Sequence, residues 1–422
     1  MKLEKMVRKD VLDNGVRLVT EQVTSVRSVS IGIWVDVGSR DERQGEEGLS
    51  HFIEHMVFKG TRRRSAETIS REIDALGGEL NAFTSREGTT FYSTVLDEYV
   101  KEGIDLLADI FHHSRFDARE LTKEKRVVLE EIRMVEDDPE EHLHDLHTEN
   151  VFGEHPLGRP ILGKVETIQG LQRKKVLSYR SRYYRPSQIV IAVAGNFSHG
   201  PVLKQIAAAF GNEMGEEHSP PARIPPRIGG GVHVRPKSLE QAHLCVGLKG
   251  VSLSDKDRYA AYLLNAILGG GVSSRLFQEV REKRGLAYAI HSSLVCFVDS
   301  GLFTVYAGTR PEAAPKVLAV VLSELRRLKK TPVGRAELER AKSQLKGNLM
   351  LGLETSSSRM GKAAKDELYF GRDISCEEIM ADIDRVSLEQ LWRLSGDLLD
   401  DRYMTVTALG PVKKGALEQI LK

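Results

Sequence analysis

At 422 residues, with 61 Lys and Arg against 60 Asp and Glu, the chain is too long for one ordinary core and carries a formal charge of only +1. That length suggests two domains of roughly 200 residues, and the balanced charge supplies no electrostatic ground for binding nucleic acid or an anionic membrane. The three cysteines, Cys245, Cys296 and Cys376, are far apart and fit neither zinc-site spacing nor a disulfide framework, which points to a reducing, cytoplasmic setting.

The opening stretch, MKLEKMVRKDVLDNGVRLV, is basic without the apolar core of a leader, and no later segment is long and apolar enough to be read as a membrane span. The first strongly patterned element is GLSHFIEHMVFKGT, from Gly48. Glycines on both sides bound a helix expected over Glu47 to Lys59. At about 100° per residue, Leu49, Phe52, Ile53, Met56 and Val57 spread over one apolar face, while His51, Glu54 and His55 form a stripe on the other side. A stripe set in such apolar surroundings faces an enclosed space. Two neutral imidazoles one turn apart can share a zinc ion, and Glu54 then stands where it can take a proton from water.

Next comes DARELTKEKRVVLEEIRMVEDDP, from Asp117 to Pro139, expected as one long helix opened by Asp117 and Glu120 and closed by the proline. With Glu124 as the reference, Val127, Val128, Ile132 and Val135 cluster on one side and Glu131 falls among them, whereas Glu130 turns about 100° away. A carboxylate on an apolar face needs a partner. Zinc held by two histidines is one candidate, and a buried salt bridge to Arg71 or Arg86 is the other. The tract HLHDLH that follows (His142, His144, His147) could be a second metal site, but the acidic EDDPEE before it favours a hydrated helix face.

EEHSPPARIPPRIGGG, residues 216–231, gathers four prolines and three glycines and reads as a linker. It divides the chain into an N-terminal domain, 1–215, and a C-terminal domain, 232–422. TTFYSTVLDEYVKEGIDLLADIF pairs faintly with GLFTVYAGTRPEAAPKVLAVVLSEL, and RELTKEKRVVLEEIRM with AELERAKSQLKGNLML, at a shift of about 215 residues, as an internal duplication would give. At that shift the second copy carries NAILG in place of the histidine motif. The expected fold is therefore α+β, two similar halves each with a mostly antiparallel sheet packed with helices, with one metal-bearing copy.

HFIEHMVFKGT followed by Glu131 resembles the pitrilysin/insulinase family of inverzincin metallopeptidases, whose His-x-x-Glu-His order reverses the common zinc-protease helix. The resemblance extends through GGELNAFTSREGTTFY, FGEHPLGRPILG and GGGVSSRLFQEVREKRGLAY, and the two-part length is similar to the mitochondrial-processing-peptidase subgroup and its bacterial relatives. It implies a zinc endopeptidase acting on peptides or unfolded segments, its two halves enclosing a chamber, with one zinc per chain held by His51, His55 and Glu131. Glu54 would be the general base acting on a zinc-bound water, and Glu124 would orient a ligand from behind. It further implies that Arg281 and Tyr288, in REKRGLAY, stabilise the oxyanion, with Arg284 the rival of Arg281. Asn81, Ala82, Phe83 and Thr84 would form an edge strand on which substrate adds. Double-length relatives carry the zinc site in their first quarter and the Arg/Tyr pair in their last, so a two-part chain implies a homodimer in which Arg281 and Tyr288 act in trans. The alternative is a non-catalytic partner subunit of a processing complex, although such subunits usually lose the His-x-x-Glu-His set.

Overall fold

The computed structural model describes residues 7–211, 222–400 and 403–421. Of the expected linker, 216–221 lie outside the described residues, and 222–230 take no regular structure. The chain forms two compact units. One comprises the residues up to Arg133 with Pro160–Ala222 and Gly352–Asp373; the other comprises Met134–Arg159, Arg223–Leu351 and the residues from Ile374 onward.

The first unit is built on six strands: β1 (Val7–Val11), β2 (Arg17–Gln22), β3 (Ser28–Val35), β4 (Glu79–Thr84), β5 (Thr89–Leu96) and β6 (Ile189–Gly195). Their order is β1-β2-β6-β3-β5-β4, with β2 and β6 parallel and the other pairs antiparallel. The central strand β3, SVSIGIWV, lacks polar alternation because both its faces are covered. Val29, Ile31, Ile33 and Val35 enter a core with helices α1 (Leu49–Val57) and α3 (Val100–His113), which are separated in sequence by α2 (Ala66–Ala75). On the reverse face Trp34, with Val190, Ala192 and Ala194 of β6, packs against Met360, Ala363 and Ala364 of the helix Ser356–Phe370. Gly32 makes room there, since a Cβ at that position would fall 2.4 Å from the Trp34 ring and 3.1 Å from the Met360 sulfur. Ser30 and Ser356 are joined hydroxyl to hydroxyl at 2.9 Å, and Arg359 pairs with Glu21 at 2.8 Å.

The second unit carries β7 (Gly231–Arg235), β8 (Ala242–Lys249), β9 (Ala287–Cys296), β10 (Gly301–Thr309) and β11 (Thr405–Leu409), in the order β7-β11-β8-β10-β9. Only β7 and β11 are parallel. That pattern repeats β2-β6-β3-β5-β4 strand for strand, so the duplication expected from the sequence is present in the topology. One sheet face packs on the helices Arg258–Gly269, Ala314–Lys330 and Leu388–Leu398. The other is covered by α5 (Pro139–Phe152), whose Leu143 meets Cys245, Tyr306 and Leu409. Each sheet thus takes its covering helix from the other half of the sequence.

The long helix expected from Asp117 to Pro139 is α4 (Ala118–Asp137), with Asp117 Oδ1 accepting from the Arg119 amide at 2.8 Å. Pro139 starts a new helix, because Asp138 caps α5 by accepting from the amides of Glu140 and Glu141. Val127, expected on the buried side, is 43 % exposed. The tract His142–His147 also departs from the expected hydrated face: His147 is buried, its Nδ1 lies 3.0 Å from Thr407 Oγ1, and its ring occupies the space a side chain at Gly247 would fill.

Since Met360 is 2 % exposed, Met360→Ala should leave a cavity against Trp34 and cost about 2–5 kcal/mol. Urea unfolding followed by tryptophan fluorescence should show an earlier midpoint; an unchanged midpoint would mean that this helix does not hold the first sheet.

Candidate metal centre

Helix α1 is shorter than the expected Glu47–Lys59, and its start is fixed by Gly48. The glycine has φ +88°, and a Cβ on it would lie 2.6 Å from the Leu162 carbonyl oxygen, so no other residue fits without strain. The buried Glu42 carboxylate accepts from the amides of Gly48 at 2.8 Å and Ser50 at 2.7 Å, which satisfies donors that the helix end leaves open. Leu49, Phe52, Ile53 and Met56 are fully buried in the core, as the periodicity of the motif requires, and this sets His51, Glu54 and His55 on the remaining side.

The rings of His51 and His55 meet edge to face with their Nε2 atoms 3.2 Å apart. Glu131, brought by α4, places Oε2 3.7 Å from His51 Nε2 and 3.4 Å from His55 Nε2. That carboxylate oxygen is buried and has no hydrogen-bond partner, nor has His51 Nδ1. Buried polar atoms in folded proteins are normally paired. Two imidazoles and a carboxylate converging on an orphaned oxygen fit a zinc ion, with a fourth position left over. Glu130, by contrast, is exposed and pairs with Arg133.

Behind this triangle, Glu124 Oε1 lies 2.9 Å from His55 Nδ1, and its other oxygen lies 2.9 Å from Lys59 Nζ. The salt bridge weighed from the sequence is therefore real for Glu124, but its cation is Lys59; Arg71 instead pairs with Glu67. Lys59 is the site residue that sequence reasoning missed. It stands four residues beyond His55, and a lysine just past a helix end reads as solvated. Glu54 lies outside the triangle and accepts from Thr84 Oγ1 at 2.5 Å, which ties it to the end of β4. Strand β4 closes the sheet order, with β5 on one side and no strand on the other among the described residues. Asn81, Ala82 and Phe83 precede Thr84 along it.

The charges follow from these contacts. Burial lowers the His51 pKa to about 3, and His55 adds to the effect. Burial works downward on His55 too, but the Glu124 hydrogen bond and the nearby carboxylates leave it raised. Burial would raise Glu124, yet its bonds to His55 and Lys59 hold it below the usual range. Burial also raises Glu54, against the opposing Thr84 hydrogen bond.

Arg281 and Tyr288 lie in the second unit and touch each other. The Arg281 guanidinium sits 4.5 Å from the Tyr288 ring centre and 4.8 Å from that of Phe277. The Phe277–Glu282 turn is wound wider than an α-helix, and Tyr288 is 79 % exposed on β9. Arg284, the rival, is engaged by Glu279.

A His-x-x-Glu-His helix met by a carboxylate from a second helix is a donor set of the kind that zinc metallopeptidases use. Residues 17–165 match the family described as insulinase, peptidase family M16, and residues 170–345 match the peptidase M16 inactive domain. An uncharacterized zinc protease of Streptomyces coelicolor is 41 % identical over 96 % of this chain and 90 % of its own length. One from Bacillus subtilis is 42 % identical over 94 % of this chain and 97 % of its own. The fold is shared with a protease from Helicobacter pylori, at TM-score 0.90 and 24 % identity over 96 % of this chain and all of that one. A chain of complex III from Candida albicans also shares it, at TM-score 0.86 and 22 % identity over 99 % of this chain and all of that one. The chain belongs to peptidase family M16, the insulinase family, and its metal is zinc.

Two outcomes are expected at this centre. Zinc requires a neutral His55, which the metal-free site protonates at or below its raised pKa, so zinc uptake there should release the imidazole proton, and Glu124→Gln, which removes the carboxylate that raises that pKa, should reduce the release. Calorimetry at about pH 5.5 in buffers of different ionisation enthalpy reads this number, and an equal release from both proteins would contradict the charge assignment. Glu131→Gln should weaken zinc binding by about 100-fold or more while Glu130→Gln leaves it unchanged; equal loss in metal analysis after dialysis would mean Glu131 is no ligand.

Proposed function

We propose that the protein is a zinc endopeptidase that cleaves peptides or extended, unfolded protein segments, with His51, His55 and Glu131 as the metal ligands and Glu54 as general base. The observation that carries this reading is the Thr84–Glu54 hydrogen bond, which sets the base at the end of an open sheet edge and beside the ligand triangle. A substrate strand adding along Asn81 to Thr84 would pair by its backbone, so its extended shape is read more than its side chains. In folded substrates most strands are already paired, and their edges are protected against such addition.

Zinc, when bound, supplies a Lewis acid that acidifies water and polarises a carbonyl. Glu54, with its pKa raised by burial, accepts a proton from the attacking water and passes it to the leaving amine. Thr84 holds one Glu54 oxygen in place, so the carboxylate keeps one geometry through both transfers. Glu124 and Lys59 fix the tautomer of His55. Arg281 and Tyr288 provide charge and a hydroxyl for the developing oxyanion; their mutual stacking and the exposure of Tyr288 suit a pair offered outward. We place that pair in the active site of a second copy of the chain, in a homodimer with two equivalent sites. Free cysteines favour the cytoplasm, and no helix among the described residues is long and apolar enough to cross a membrane.

Glu54→Gln should retain its zinc and lose about 100-fold or more in kcat. Loss of zinc from this variant, or turnover near the original rate, would show that Glu54 has another role; absence of turnover by the unaltered, zinc-loaded protein would leave the non-catalytic partner reading in place. Mixing Glu54→Gln protein with an Arg281→Ala, Tyr288→Phe double variant tests the dimer. If the pair acts in trans, about half the dimers are mixed and each has one intact site, restoring roughly a quarter of the normal sites. No recovery despite confirmed subunit exchange would place all the residues of a site on one chain.

A further inference from the structure

We propose that the second unit holds a separate binding site for a first-row divalent cation, zinc foremost, formed by Glu140 and His144 of α5 and His291 of β9. These three side chains can each bring a ligand atom within 4.8 Å of the other two, the same grouping that His51, His55 and Glu131 make in the first unit. Glu140 and His144 are one helical turn apart and so present their donors on a single face of α5.

The surroundings are organised toward that point. Cys245, Tyr306 and His291 are directly opposed across β8, β10 and β9 and form a row on one sheet face. The His144 ring stacks on Tyr306 at 5.6 Å, the His291 ring lies 5.1 Å from that of Tyr306 on the neighbouring strand, and the two imidazoles are 6.4 Å apart with their planes inclined by 26°. The Tyr306 hydroxyl lies 2.9 Å from His243 Nδ1, and its ring is the surface against which both imidazoles rest.

The donor set selects the metal. Two imidazoles and one carboxylate suit zinc and its first-row neighbours, whereas calcium and magnesium prefer oxygen alone. Cys245, at the far end of the row, lies with its sulfur 4.0 Å from His144 Nδ1 but is not one of the three converging donors, so the site is not a thiolate site. A cation here would clamp α5 to β9, the last strand in its sheet order and the one that carries Tyr288.

The site is tested by zinc binding alone, which does not depend on catalysis. Equilibrium dialysis at controlled free zinc should load two ions per chain on the full-length protein, one of them the catalytic zinc. A His51→Ala, His55→Ala variant should still load one, and adding His144→Ala or His291→Ala to it should weaken that remaining ion by about 100-fold or more. Glu140→Gln, which keeps the shape of the side chain, guards against misfolding: its metal-free melting temperature should match that of the parent while its zinc affinity falls. The proposal is overturned if the His51→Ala, His55→Ala protein binds no zinc, or if its zinc persists through both the His144→Ala and His291→Ala substitutions.

Discussion

Everything at the metal centre leans on one buried anion. Glu124 is almost wholly enclosed, and an isolated carboxylate there would be costly. It is stabilised by Lys59 on one oxygen and His55 on the other. The three groups answer one another: the lysine keeps the carboxylate ionised, the carboxylate orients the imidazole, and the outward Nε2 is left free to meet Glu131 and His51. Because Lys59 follows the last turn of α1 and Glu124 lies on α4, the same interaction also ties the two helices that bring His51, His55 and Glu131 together. The apolar packing of α1 holds the helix against the sheet, but this polar contact sets its register against α4.

The other organising constraint is the exchange of covering helices. A sheet with two apolar faces needs a layer on each. In both units one layer comes from the local half of the chain, and the other is a helix from the opposite half, Ser356–Phe370 in the first unit and α5 in the second. The small side chains at the first of these contacts, Gly32, Ser30, Ala192, Ala194, Ala363 and Ala364, let the helix approach the strands closely.

Much of this was legible in the sequence because helical phase is reliable over short, strongly apolar runs. The phase of α1 follows from five core residues, and that of α4 separates the exposed Glu130 from Glu131, although it errs at Val127, which no described residue covers. The duplication survives as strand order even where the residues have diverged. What was hidden depends on contacts between distant segments. Lys59 has the character of a surface residue until Glu124 arrives beside it. The burial of His147 depends on Gly247 and Thr407, about a hundred or more residues downstream, and nothing local links His144 to His291. The helix exchange was invisible for the same reason, since a linear division at 216–231 follows composition, not packing.

That exchange has a consequence for synthesis. A chain emerging from the ribosome can assemble β1 to β6 and bury α1 and α3 against one side of the sheet, yet the side bearing Trp34 and Ala192 stays uncovered until Phe370 has been made. Nearly the whole polypeptide must therefore exist before the first sheet is closed, and long-range pairing of this kind folds slowly and exposes apolar surface meanwhile. The growing chain accordingly carries an open apolar sheet face during the interval in which His51, His55 and Glu131 are already present but not yet held by a finished fold.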